Sequence, residues 1–210
     1  MDRITPAVIV ALIVGGIIGY VGHNLSSSSQ NAQSQQQQAM SETKSPSTLA
    51  QPGSKEAKIQ DALNAAPESL AKNASVMDFP EKEGGDLVEL QKGSNDWTCF
   101  PDYPLSPGKD PMCVDKQGML WMQAYITQKS PDLTQAGLAY MLQGGSDASN
   151  TDPFAQKPTA GDDWITTPSH TMVFPVGKLD QTVYSKDPKN GGPWIMWAGT
   201  PYEHLMVPVK

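Results

Sequence analysis

The chain is short of positive charge, of cysteine and of histidine, and each shortage excludes something. Its 210 residues include 15 Lys and Arg against 22 Asp and Glu, a formal net charge of -7. Asp2 and Arg3 cancel, so the part beyond the first apolar segment carries the whole deficit. Nucleic-acid binding relies on clustered cations that release counterions, and no such cluster is present. Two cysteines, Cys99 and Cys113, are too few for a structural zinc site and are not spaced as C-x-x-C. Of the three histidines, His23 sits at the edge of the leading apolar segment, which leaves His170 and His204. A zinc site would then need a further ligand from Asp or Glu. No internal repeat is found.

The chain begins "MDRITPAVIVALIVGGIIGYVGHN". Ala7 to Val21 holds no charged or strongly polar residue. As a helix, Ile4 to Gly22 would span roughly 28 Å at 1.5 Å per residue, which matches a hydrocarbon core of about 30 Å. Residues 1–23 are therefore expected to be a transmembrane anchor that meets the lipid bilayer through residues 4–22. The alternative is a cleaved secretory signal, which needs a small-x-small site; no A-x-A stands here, and Ser26 and Ser28 are the only substitutes. Gly15 and Gly19 make a GxxxG pair that would let two such helices associate weakly. Arg3 favours the orientation with the body outside the cytoplasm.

In an oxidising compartment Cys99 and Cys113 would form one bridge across the Pro- and Gly-rich "FPDYPLSPGKDPM". A loop of about 15 residues closed in this way gains up to roughly 3 kcal/mol. Residues 24–55 are dominated by Ser and Gln and lack aromatics. Such a segment cannot offset its ordering entropy and reads as a disordered tether with a reach on the order of 30 Å. Residues 56–210 are expected to be the globular domain, large enough for one core.

"SKEAKIQDALNAA" places Ile59 and Leu63 on one helical face, with Ser54 able to cap. A second short helix is expected from Pro67. Short apolar or alternating runs punctuated by Gly, Pro, Asp and Asn then read as strands. "GMLWMQAYITQK" is ambiguous: Leu120, Ala124 and Thr127 suit a helix, the aromatic and branched residues a strand. Trp194 and Trp197 flank Ile195 and Met196, as in a buried central strand. The expected fold is α+β, with one or two N-terminal helices packed on a mostly antiparallel sheet.

Chemistry centres on "MLQGGSDASNTDP", residues 141 to 153. Gly144-Gly145-Ser146-Asp147-Ala148 approaches the G-x-S-x-G nucleophile elbow, but Pro153 and the polar run deny it the helix that an elbow requires. Asp147, Ser149 and Thr151 alternate as at the start of an EF-hand, yet its sixth place is Asp152 and its twelfth Pro158. An irregular calcium site could use Asp147, Asn150 and Asp152, with Asp162 or Asp163. The competing reading is a loop whose small polar side chains bond their own backbone. On a strand, His170 would share a face with Met172 and Phe174. His204 would share one with Tyr202 and Met206, and Glu203 would point away. Core packing is the default reading for the five tryptophans; one left exposed beside residues 144–152 would suggest a sugar or peptide groove.

The stretches "WTCFPDYPLSPGKDPMC", "AYMLQGGSDASNTDPFA", "PSHTMVF" and "MWAGTPYEHLMVPV" resemble a family of uncharacterised exported bacterial proteins, over about Pro67 to Val209. The resemblance brings no activity with it. The leading apolar segment and the Ser/Gln-rich tether fall outside the resemblance, so localisation is read from this sequence alone: a bacterial inner-membrane protein of single pass with its C-terminal domain in the periplasm, or a secreted or periplasmic one if the leader is cleaved. The expectation is a non-enzymatic, membrane-tethered domain that binds a small molecule or an envelope protein. No cofactor is expected. The alternative is a metal-assisted hydrolase, with calcium or zinc, built from Ser146, Asp147, Asp152, His170 and His204. A purely structural envelope role is a third reading, which a large apolar surface patch would favour.

Overall fold

Local signals place the first helices where the sequence predicts them. The computed structural model describes residues 51–209 apart from 52, 81, 83 and 84. The expected anchor, its Gly15 and Gly19, and nearly all of the tether lie outside the described residues. Among the described residues no helix is long and apolar enough to cross a membrane. Helix α1 spans Lys55–Leu63, and the Ser54 hydroxyl accepts the Ala57 N–H at 3.1 Å. Helix α2 is one turn, Glu68–Ala71, with Pro67 in the capping position, one residue ahead of the expected first helical place. The helices and the turns after them bury alanines, which let the backbone come close to the sheet: Ala62, Ala65, Ala71 and Ala74 pack with Val76 and the two cysteines.

Ten short strands follow among the described residues: β1 Ser75–Asp78, β2 Val88–Gln91, β3 Thr98–Phe100, β4 Met112–Val114, β5 Gly137–Met141, β6 Gly145–Asp147, β7 Ile165–Thr167, β8 His170–Phe174, β9 Trp194–Met196 and β10 His204–Pro208. Eight form one sheet in the order β2-β1-β3-β4-β5-β8-β10-β9. Its neighbours are antiparallel except β1 and β3. The expected α+β class with a mostly antiparallel sheet is the fold observed, in one compact unit, Leu49–Lys210. The pair β6–β7 stands apart as a small second sheet.

Cys99 and Cys113 are directly opposite on β3 and β4 and form a disulfide, fully buried under α1. A bridge at this place is compatible with a domain outside the cytoplasm.

The ambiguous run becomes helix α3, Lys116–Ile126. Asp115 decides it by capping the Gly118 N–H at 2.7 Å. The face that packs is Gly118, Trp121, Met122 and Tyr125; Leu120, expected to lie inward, is 43% exposed. Gly118 permits the contact, because a Cβ there would meet the Leu138 carbonyl oxygen and Val114 Cβ at 3.0 Å. The helix ends with Gln128 in the left-handed region, φ 55°. There Lys129 N–H bonds to the Ala124 carbonyl (2.8 Å) and Gln128 N–H to that of Tyr125 (3.1 Å), which completes a Schellman motif.

Two strand expectations change. Pro168 splits "DWITTPSHTMVF" into β7 and β8, since proline has no N–H for the ladder. The Trp194–Met196 strand lies at the sheet edge instead of the centre. It is buried because the segment around Ser185 covers that edge, with Ile195 N–H bonded to the Ser185 carbonyl at 2.7 Å.

Candidate functional site

The loop from Met141 to Pro153 is built from its glycines outward. Gly144 sits at φ +96°, and a Cβ on it would lie 2.8 Å from the Thr167 carbonyl oxygen. The chain can therefore turn from β5 into β6, a short strand where the sequence suggests only a loop. On β6 the Ser146 hydroxyl accepts the Gly108 N–H at 3.1 Å and lies 3.4 Å from Asp110 Oδ2. Ser146 thus pins the disulfide-closed segment to β6. Among the described residues neither histidine bonds to it, and no helix follows β6.

Asp147 is the unusual group here. Burial, and then the negative charge of Asp110, push its carboxyl up to about 7. Asp110 is itself raised, chiefly by burial, against the lowering effect of the Ser106 hydroxyl and the Tyr103 N–H. Lys109 bonds Asp61 and Asp102 at 3.1 and 3.2 Å and holds the same segment against α1.

Beyond Asp147 the loop bonds to itself and to the core. Ser149 Oγ accepts the N–H groups of Thr151 and Asp152, and Asp152 Oδ1 accepts that of Phe154. Asn150 bonds the Lys186 carbonyl through Nδ2 and the Trp194 indole through Oδ1. The Trp197 indole donates to the Ser149 carbonyl at 2.9 Å, and its backbone N–H to that of Asn150 at 2.8 Å. These bonds hold Trp197 at φ 53°, a strained conformation for a bulky residue. Asp162 and Asp163 are exposed. Among the described residues no three His, Cys, Asp or Glu side chains converge as a metal site.

Both histidines lie on the α3 side of the sheet, on the faces expected of them, and are almost fully buried. His170 Nδ1 meets the Pro168 carbonyl at 2.7 Å and His204 Nδ1 that of Tyr202 at 3.0 Å. A carbonyl can only accept, so each ring carries its proton on Nδ1. Burial lowers both, His204 to about 4, with the neighbouring His170 adding to the effect on His204. His170 Nε2 is buried without a partner, and its ring passes beneath Gly145. The structure thus brings His170 to the 144–147 turn, but no hydrogen bond joins either histidine to Asp147 or Asp152.

Around His204 the aromatic side chains assemble into one block. Trp121, Tyr125 and Trp197 are mutually parallel within 6°, with centroids 5.5 to 6.0 Å apart. Phe174 stacks on Trp121 at 4.4 Å, and Tyr202 stands edge-on to Trp121 and Tyr125. Of the five tryptophans, Trp121, Trp194 and Trp197 are buried.

A cleft of about 330 Å³ opens at the edge of this block, between the segment after α3, the segment after β8 and the turn before β10. Trp121, Leu133, Pro175 and Val176 supply its apolar lining. Asp132, Lys178 and Glu203 supply its charge. Trp121 is 4% exposed, and its indole N–H has no partner. Glu203 is 3% exposed and is held by two loop amides: Oε1 accepts the Leu179 N–H at 2.8 Å and Oε2 the Gly199 N–H at 2.7 Å. Lys178 Nζ donates to the Thr200 carbonyl at 3.0 Å and lies 3.8 Å from Glu203 Oε2.

Glu203 lies just ahead of β10 and lines the cleft with Trp121, the ring on which His204 also packs. Its role at the cleft was missed, although a carboxylate inside the apolar "YEHLMV" was the available sign. Trp121 and Lys178 gave no sign of their own. Comparisons with protein families, curated proteins and solved structures find no match.

Proposed function

We propose that the protein is a binding domain of the bacterial cell envelope, tethered to the inner membrane by residues 4–22 and the Ser/Gln-rich segment, and that it takes a small ligand in the Trp121–Glu203 cleft. One observation carries the reading: a cleft of mixed apolar and polar lining in which the buried carboxylate of Glu203 is fixed by two backbone N–H groups and the buried indole N–H of Trp121 has no partner. The buried disulfide supports export. Thermal-shift measurement against a panel of small polar metabolites tests the cleft. A binder should raise the melting temperature of the wild-type protein and not of Leu133→Trp, which fills the cleft. Equal shifts in both proteins would place binding elsewhere and defeat the reading. Protease access in spheroplasts tests the topology, since a body shielded until the membrane is broken would contradict it.

The metal-assisted hydrolase reading has one observation in its favour, the carboxyl of Asp147 raised to near neutrality. Metal analysis of protein purified without chelator tests it. Stoichiometric zinc or calcium, lost in Asp147→Asn, would support it, and metal-free protein that no metal stabilises would end it.

A further inference from the structure

We infer that the body rests on the bilayer through the Tyr103–Pro104–Leu105 turn of the disulfide-closed segment, which dips into the lipid interface while the cleft faces away. This rests on the tethering reading above. Three observations lead to it, and the first is where the chain enters. β1 and β3 are parallel, so both leave the sheet at one end, at Asp78 and Phe100. Lys58 Nζ meets Asp78 Oδ2 at 2.6 Å, and Asp61 Oδ2 accepts the Asp102 N–H at 2.8 Å, which holds α1 to that same end. Residues 1–50 lead into α1 and so join the body where the segment from Pro101 to Pro111 projects.

The second is what that end exposes. Leu105 is 70% exposed, Tyr103 42%, and Val88, which pairs with Asp78 across β1 and β2, 47%. The run "YPLSP", residues 103–107, carries no charge. Behind it Asp61 and Asp102 are bonded by Lys109, and Asp110 by the Tyr103 N–H and Ser146 Oγ. β8 lies three antiparallel steps from β3 and leaves the sheet at the other end, so Pro175 to Lys178 and the cleft open away from the lipid.

The third is the state of the backbone. Apolar surroundings penalise an N–H without an acceptor. Here Tyr103 N–H bonds Asp110 at 3.1 Å, Ser106 N–H the Tyr103 carbonyl at 3.3 Å, and Gly108 N–H Ser146 Oγ at 3.1 Å. Pro104 and Pro107 have no N–H, so among residues 103–108 only that of Leu105 lacks an acceptor within the described residues. Such a turn leaves water with little penalty. The anchor makes its insertion an intramolecular event, for which a weak affinity suffices.

The test places a nitroxide at Leu105→Cys, Val88→Cys or Val176→Cys in the full chain; Cys99 and Cys113 are paired, so each label is single. The protein is reconstituted in vesicles of equal phosphatidylethanolamine and phosphatidylglycerol. Electron paramagnetic resonance then reads the access of oxygen and of a water-soluble nickel chelate. Labels at positions 105 and 88 should be open to oxygen and shielded from nickel, and the label at 176 the reverse. Adding Leu105→Asp should abolish the shielding at 88, where the label itself stands outside the turn. All these sites are exposed, so the variants should fold normally. Equal nickel access at 105 and 176 in vesicle-bound protein would overturn the proposal, leave the tether standing and give the turn to a protein partner. Protein that does not float with the vesicles would defeat the tethering reading and this proposal together.

Discussion

Glu203→Ala offers the sharpest test of how the cleft is held together. The carboxylate is 3% exposed and joins two loops, through Leu179 N–H at 2.8 Å and Gly199 N–H at 2.7 Å, with Lys178 3.8 Å away. Hydrogen bonds to a charged group contribute about 1.5–3 kcal/mol each. Two such bonds would set a ceiling of about 6 kcal/mol. Gly199 is exposed and Leu179 half-buried, so water can reach the freed amides and recover part of this. The expected loss is therefore about 2–3 kcal/mol. Glu203→Gln should lose less, about 1–2 kcal/mol, because its carbonyl oxygen still accepts one amide while its NH₂ opposes the other. Lys178→Ala removes only the exposed partner and should stay within about 0.5 kcal/mol. Urea denaturation at 25 °C measures all three. A Glu203→Ala loss below about 1 kcal/mol, or one equal to that of Lys178→Ala, would refute the claim that this carboxylate clamps the loops.

Other consequences follow from the same bonds. Replacing Cys99 and Cys113 by alanine opens a loop of sequence separation 14 and should remove about 3 kcal/mol in urea denaturation; an unchanged midpoint would contradict it. The Asp147 carboxyl is raised from 3.8 to about 7 in the folded protein, so between these values the folded state keeps a proton that the unfolded chain has released. Its contribution is full below pH about 4 and is lost as pH rises through about 7. Three pH units correspond to about 4 kcal/mol, and partial exposure halves this to about 2 kcal/mol. Asp147→Asn should therefore be more stable than wild type at pH 8 by about that amount, with the advantage gone by pH 4. Gln128→Gly should stabilise by about 0.5–1 kcal/mol, since glycine adopts φ 55° without the penalty that glutamine bears; a loss of stability would mean that the Gln128 side chain has a role its exposed position does not suggest.

What was legible in the sequence was local or periodic. Ser54 ahead of "KEAKIQDAL" predicted a capped helix, and "HTMVF" alternates as it packs. The α+β class followed from the change of pattern near residue 75, and the disulfide from the pair of cysteines in a chain with an apolar leader. What was illegible depended on distant parts of the chain. Helix α3 was undecidable from its apolar residues alone, because its inward face is set by Gly118 meeting Leu138 and Val114. Burial made β9 look central, while the covering segment around Ser185 could not be foreseen. At the loop, the Asx and Ser/Thr turns of Ser149 and Asp152 were readable from composition, but the capture of Trp197 by Ser149 and Asn150 spans nearly fifty positions. The cleft draws on three segments whose separate sequences look like ordinary loops, and only the buried Glu203 stood out of its context.

The Trp121 indole resonance, compared with that of Trp97, is the most direct measurement of the central claim. Trp97 packs with Tyr140 and the disulfide cluster under α1, away from the cleft lining. A small molecule that binds as proposed should move Trp121 saturably and leave Trp97 unmoved, and Leu133→Trp should abolish the response. A binder that shifts Trp97 while Trp121 stays still would contradict the account.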